Sequence, residues 1–241
     1  MQPTIVDLSH YQASVDFKKV KAAGILAVIL KATQGTSYVD PTFADRRKAA
    51  AAAGVLALSY HYLTGDDVPS QVKHYLATVQ PVPGERLVCD YEENGVTLSA
   101  LRAFCKSLQD QDGNYQVTVY GGGLLKSQLG NTRDGYLADN TSLWLAQYTT
   151  GTPSWPKSTW PNWSLWQFTD KATVSGIGGA VDGNVFNGSD ENALRFLQPA
   201  SGSTPAPADD GVNMTITIEA DGPVNLTIKA PANIRIANLI A

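Results

Sequence analysis

Short apolar runs alternate with longer amphipathic stretches along the first 198 residues of the chain. Runs at 4–8, 25–31, 55–62, 86–91, 116–120, 143–148, 164–168 and about 179–182 predict strands, because each is short and apolar and is bounded by polar or turn-forming residues. Stretches at 16–23, 41–53, 70–78, 99–111 and 189–197 predict helices. Asp40 and Ser99 are expected N-caps, Pro41 suits a first helical position, and Gly24 and Gly54 suit helix ends. Strands alternating with helices favour a parallel sheet covered by helices. Eight such strands predict an α/β fold, a TIM-like (β/α) barrel, for which about 250 residues is usual. From 144 to 168 the helical pattern fades while Trp, Pro and Ser accumulate, so the barrel should be irregular there, with loops joining its later strands.

The texture changes at 199–211, where small, polar and proline-rich residues bury almost nothing and read as an extended linker. Beyond it Met214, Ile216 and Ile218, then Val224, Leu226 and Ile228, alternate with polar residues, and Asp221-Gly222 marks a hairpin turn. Three parts follow: a barrel at 1–198, a linker at 199–211 and a small all-β appendage at 212–241. A segment that short with one apolar face needs a partner, since chains below about 40 residues rarely fold alone. Self-association into a homo-oligomer is the expectation for 212–241, with wall binding as the other use.

Composition narrows the partners. Of 241 residues 43% are hydrophobic and 17% charged, which is ordinary for a globular protein. A net charge of −4 gives no footprint for nucleic acid or an anionic membrane. The first segment lacks the basic flank and long apolar stretch of a secretory signal, and no run approaches the roughly 18 apolar residues that span a bilayer. Cys89 and Cys105 lack metal-ligand spacing to the three histidines and read as reduced core residues, Cys89 facing the helix layer. No metal and no cofactor is implied.

Candidate chemistry gathers where strands end. Asp7, Asp90, Glu92 and Asp182 each follow an apolar run, and barrel enzymes collect catalytic groups at the C-terminal ends of their strands. Asp90 and Glu92, two positions apart on one strand, leave the same face. Two close carboxylates with little water cannot both ionise cheaply, so one keeps a proton, and an acid beside an anion is what glycoside hydrolysis uses. Aromatics collect at the same ends: Tyr60 and Tyr62, Tyr120, Trp144 and Tyr148, and Trp166. Tyr62, Tyr120 and Tyr148 are favoured for stacking on sugars, while Trp144 suits core and site equally. Lys31, Gln147, Gln167 and Asn184 could hydrogen-bond hydroxyl and acetamido groups. His61 should pack outside the barrel, His10 could touch substrate from a loop, and His74 is structural.

Seven blocks in order resemble the glycoside hydrolase family 25 muramidases: Val6 to Gln12, Ile29 to Gly35, Tyr60 to Tyr62, Cys89 to Glu92, Leu145 to Tyr148, Trp166-Gln167 and Val181 to Asn184. The resemblance spans residues 4 to about 198. It implies an irregular barrel that hydrolyses the β-1,4 bond between N-acetylmuramic acid and N-acetylglucosamine in bacterial peptidoglycan. By likeness Glu92 is the acid, Asp90 orients and stabilises the reacting acetamido group, and Asp7 and Asp182 tune or bind from the flanks. The family block usually carries Glu where Gln34 stands. Retaining, inverting and substrate-assisted routes all stay open. With no signal, the resemblance suggests a phage endolysin held in the host cytoplasm until the membrane is breached. The competing readings are a chitinase-like barrel, against which Leu87 and Val88 occupy positions that should be acidic, and a non-catalytic wall-binding or virion protein on a spent barrel.

Overall fold

A computed structural model describes residues 1–200 of the chain, so most of the predicted linker and all of the predicted appendage lie outside the described residues. Within them nine strands form one sheet, in the order β1 (Ile5–Leu8), β9 (Val181–Phe186), β8 (Leu165–Ala172), β7 (Thr141–Ala146), β6 (Gln116–Gly121), β5 (Arg86–Asp90), β4 (Leu56–Tyr62), β2 (Ala27–Gln34) and β3 (Tyr38–Val39). A further β1–β2 pairing closes eight of them into a barrel and leaves β3 as a short flap on β2. Helices α1 (Phe17–Ala22), α2 (Phe43–Ala52), α3 (Val68–Val79) and α4 (Leu98–Gln109) occupy the expected positions. Two short helices escape the sequence pattern, α5 (Gly123–Leu129) and α6 (Gly135–Asn140).

One strand runs against expectation. All other barrel neighbours pair in parallel, but β9 is antiparallel to both β8 and β1. Only residues 173–180 join β8 to β9, and a parallel return needs a crossover of a dozen residues or more. The predicted strand at 179–182 is therefore longer and reversed. Asp182 stands near its beginning, which lies on the same rim as the ends of the parallel strands. The β7–β8 connection carries no helix, as its composition foretells.

Alternation along each strand divides the core. On β1 Ile5 points into the barrel and Val6 and Leu8 out; on β5 Val88 points in and Leu87 and Cys89 out; on β7 Trp144 points in and Leu143 and Leu145 out. The outer layer packs against the helices around Tyr75 and Phe104, with Cys89 and Cys105 both free and buried there. His61 belongs to this layer, stacked on Phe104 at 4.9 Å and bonded to Thr33 and Gln71. The inner layer is closed from below by α7 (Asp190–Leu197), where the Arg86 guanidinium lies 3.7 Å over the Phe196 ring and donates from Nε to the Phe196 carbonyl. A filled floor leaves the open end of the barrel for chemistry.

Two capping expectations shift by a residue or two. Helix α4 is capped by Thr97, which accepts from the Ala100 N–H, and Ser99 lies inside it. The Asp40 carboxylate accepts from Thr42 N–H at 2.9 Å and Thr42 Oγ1–H at 2.6 Å, so it caps the turn before α2 and leaves Pro41 outside the helix. Gly24 and Gly54 end their helices with φ of +87° and +69°, a backbone state that favours glycine.

Candidate active site

The end of the barrel where the parallel strands finish holds a cavity of about 180 Å³ lined by Asp7, Tyr60, Asp90, Glu92, Tyr120, Trp144, Tyr148, Gln167 and Asp182. All four carboxylates singled out in the sequence meet there. Asp7 is the inward residue near the end of β1 and lies opposite Asp182 in the antiparallel β1–β9 register. Asp90 ends β5, and Glu92 follows it beyond the strand; Tyr91 between them donates its N–H to the Tyr120 carbonyl and turns its ring outward into the helix layer. The ladder thus runs one residue past the strand, which keeps Asp90 and Glu92 on one face.

Their surroundings differ. Asp90 is 5% exposed, and its Oδ1 has no hydrogen-bond partner among the described residues. Burial, then the charges of Glu92 and Asp7, push its carboxyl well above the usual range, with Lys31 opposing. Glu92 reaches solvent at the mouth of the cavity, yet the protein crowded around it raises its carboxyl; Lys31 lowers it and Asp182 raises it further. Asp7 and Asp182 stand directly opposite one another and influence each other's titration. Burial raises both carboxyls, and for Asp7 the charge of Asp182 adds to the rise.

Asp7 is fixed by two amides. Gln167 Nε2 and Asn184 Nδ2 donate to its Oδ2 at 3.0 and 2.8 Å. Each amide is turned the right way by an aromatic donor. Tyr120 and Tyr148 hydroxyls donate to Gln167 Oε1 at 2.8 and 3.0 Å, and Trp144 Nε1–H donates to Asn184 Oδ1 at 2.7 Å. With both oxygens occupied, only the amide nitrogens can face the carboxylate.

Other expected residues scatter. Asn184 is fully buried beneath Asp7 and does not line the cavity, so it positions a carboxylate and cannot touch a sugar. Gln147 points away: the alternation that turns Trp144, Ala146 and Tyr148 inward turns it outward, where its Oε1 accepts from Lys126 and Ser154. Trp166 likewise joins the outer layer and donates to the Gln147 carbonyl. Tyr60 and Tyr120 form cavity wall, and burial raises both phenols so that they stay protonated. Tyr62 is not among the lining residues; its ring lies 5.0 Å from Lys31 Nζ, and burial pushes its phenol up to about 12. Lys31 donates to Gln34 Oε1 at 2.8 Å, the position where Glu was expected. Trp144, which suited core and site equally in the sequence, lines the cavity. One contributor carries no sequence signal: Asp170, beyond an irregularity in β8, raises Asp182 by its charge. Among the described residues no group of His, Cys, Asp and Glu is arranged to hold a metal, and no helix is long and apolar enough to cross a membrane.

The chain is similar to known proteins. The chain is 28% identical to Lysozyme M1 of Streptomyces globisporus, over 81% of this chain and 70% of that protein. It is 30% identical to the autolytic lysozyme of Clostridium acetobutylicum, over 76% of this chain and 55% of that one. The crystal structure of a bacterial lysozyme from Streptomyces coelicolor superposes with a TM-score of 0.72 at 26% identity, covering 80% of this chain and 95% of that one. Residues 6–177 match the family described as Glycosyl hydrolases family 25, and the chain belongs to that family.

Proposed function

We propose that this glycoside hydrolase is a peptidoglycan muramidase whose acid is Glu92. The chain cleaves the β-1,4 bond between N-acetylmuramic acid and N-acetylglucosamine in the bacterial wall. The observation that carries the assignment of roles is the convergence of four carboxyls, all shifted upward, in one cavity walled by tyrosines. Glu92, at the solvent-touched mouth, holds a proton and gives it to the leaving glycosidic oxygen. Asp90 offers the Oδ1 of a buried carboxyl, without a hydrogen-bond partner among the described residues, to the reacting acetamido group. Asp7 and Asp182 together act on Glu92 from the flank: the negative charge on Asp182 favours its protonated form. Tyr120 and Tyr148 present rings to the cavity while their hydroxyls orient Gln167.

Glu92→Gln keeps the shape and removes the proton. Lysis of purified walls, followed by turbidity, should fall by roughly 10²–10⁴-fold with folding intact. Substantial residual turnover would remove Glu92 as the acid.

The finer reading is a phage endolysin, held in the host cytoplasm until the membrane opens. Its support is the wall-degrading chemistry itself, and fractionation of producing cells tests it, since export before membrane damage contradicts it. Residues 212–241 serve self-association in this reading, on the strength of their period-two pattern. Equal monomer masses by light scattering for the full chain and for a chain ending at Gln198 would end that idea.

A further inference from the structure

We propose that Tyr11, His10 and Tyr38 form a stacking platform for an additional pyranose ring of the glycan strand, outside the carboxylate cavity. The proposal rests on the muramidase reading and adds a length-selective element to it. The cavity, at about 180 Å³, is smaller than the roughly 300–1,000 Å³ that encloses a drug-sized ligand. A polymer must therefore be held largely by what flanks it.

Tyr11 is 81% exposed and Tyr38 38%, though both are large and aromatic. The His10 and Tyr11 rings lie 4.2 Å apart at an interplanar angle of 34°, and Tyr38 meets His10 edge-on at 6.2 Å. The His10 and Tyr38 part of this surface is held in place from beneath, and Tyr11 leans on His10. Asp40, its carboxylate sealed from solvent, accepts from His10 N–H at 2.8 Å, and His10 Nδ1 lies 3.1 Å from both Asp40 Oδ2 and the Tyr38 hydroxyl. Thr42 uses the other Asp40 oxygen. Rings held this way lose little freedom when a ligand arrives.

Lys31 links the platform to the cavity wall. Lys31 Nζ stands 5.6 Å from the Tyr38 ring centroid, and Lys31 pairs in register with Tyr60, a cavity wall residue. On the far side Tyr148, 55% exposed, follows β7, which lies four strands round the barrel from β2 in either direction. Exposed aromatics thus stand on opposite sides of the mouth, as a strand crossing it requires. A pyranose has an apolar C–H face for the rings and hydroxyl edges for His10, Tyr38 and Lys31.

The test compares wild type, Tyr11→Ala, Tyr38→Ala and Tyr11→Trp on tetrasaccharides and on long glycan strands from purified walls. The ratio of kcat/KM on long strands to that on tetrasaccharides should fall roughly fivefold to tenfold in Tyr11→Ala, through KM, and be kept in Tyr11→Trp. Binding of long strands by Glu92→Gln with and without Tyr11→Ala, read by calorimetry, should weaken by the same factor. Tyr11 is too exposed for its removal to unfold the chain, so it decides the matter even if Tyr38→Ala melts early. An unchanged ratio overturns the platform, and so does an equal loss on both lengths, which would place the effect inside the cavity. A wild type that hydrolyses neither length overturns the muramidase reading instead, and the calorimetric series then judges the platform by itself.

Discussion

Replacing Asp90 by Asn should make the protein more stable at neutral pH while removing its activity. The carboxyl is 5% exposed, one oxygen has no partner among the described residues, and the charges of Glu92 and Asp7 bear on it with only Lys31 opposing. A buried polar group left without a partner costs about 1–3 kcal/mol. Asn faces the neighbouring carboxylates with a donor in place of a second anion, so a gain of about 2 kcal/mol is expected, or roughly 4–8 °C in Tm for a chain of this size. The sign depends on pH. Asp90 is raised in the folded state, so from about pH 4, the ordinary aspartate value, up to its folded value the native state holds a proton that the unfolded chain releases. Stability contributed by that proton is fully present below the unfolded value and is lost as pH rises through the folded one. The advantage of the Asn variant must therefore shrink as pH falls towards 4. Thermal unfolding of both proteins by circular dichroism across pH 4–8, with wall turbidity alongside, provides the assay. An Asn variant no more stable than wild type at neutral pH, or equally stabilised at pH 4, refutes the reasoning.

Three further outcomes follow from the same geometry. Lys31→Met removes the cation that lowers Glu92 and Asp90, so the alkaline limb of the pH–activity profile should move to higher pH; a downward move contradicts the assigned electrostatics. Asn184→Ala takes a donor from Asp7 and orphans the Trp144 indole N–H, and urea denaturation should register a loss of about 2–3 kcal/mol, with no loss counting against the amide bracket. His61, lowered by burial to about 4, contributes stability that is present above the ordinary histidine value of about 6.5 and is lost as pH falls through 4, so His61→Gln should flatten that part of the stability profile, as denaturation at pH 7 and 4.5 would reveal.

Much of the site was legible because strand alternation is a local rule. Val88 and Asp90 share a face, and once Val88 is core, Asp90 must look into the barrel. The same rule, carried through β7, places Gln147 outside, and grouping it with Tyr148 as a sugar contact overlooked that step. Depth is different. Asn184 shares the inward face of β9 with Asp182, but nothing in a period of two says that one lies at the rim and the other beneath it. Strand direction is equally silent in composition, and the reversal of β9 follows only from the length of its connection. The charge of Asp170 on Asp182 comes from beyond a register shift in β8, which the sequence does not announce.

The reversed strand explains why one carboxyl pair differs from the rest. In an antiparallel ladder, directly opposed residues stand about 4.5–5.5 Å apart at Cα, and Asp7 and Asp182 are such a pair. No other barrel neighbours of β1 or β5 offer this, since those strands otherwise pair in parallel. The opposition sets the two carboxyls side by side, and burial raises both. The charge of Asp182 on the flank of Glu92 raises the acid. A second full charge on Asp7 would be paid for in desolvation at a residue already sealed between Gln167 and Asn184. Burial is the main cause of the raised Glu92 carboxyl, and the antiparallel last strand adds to it by bringing Asp182 to the same rim.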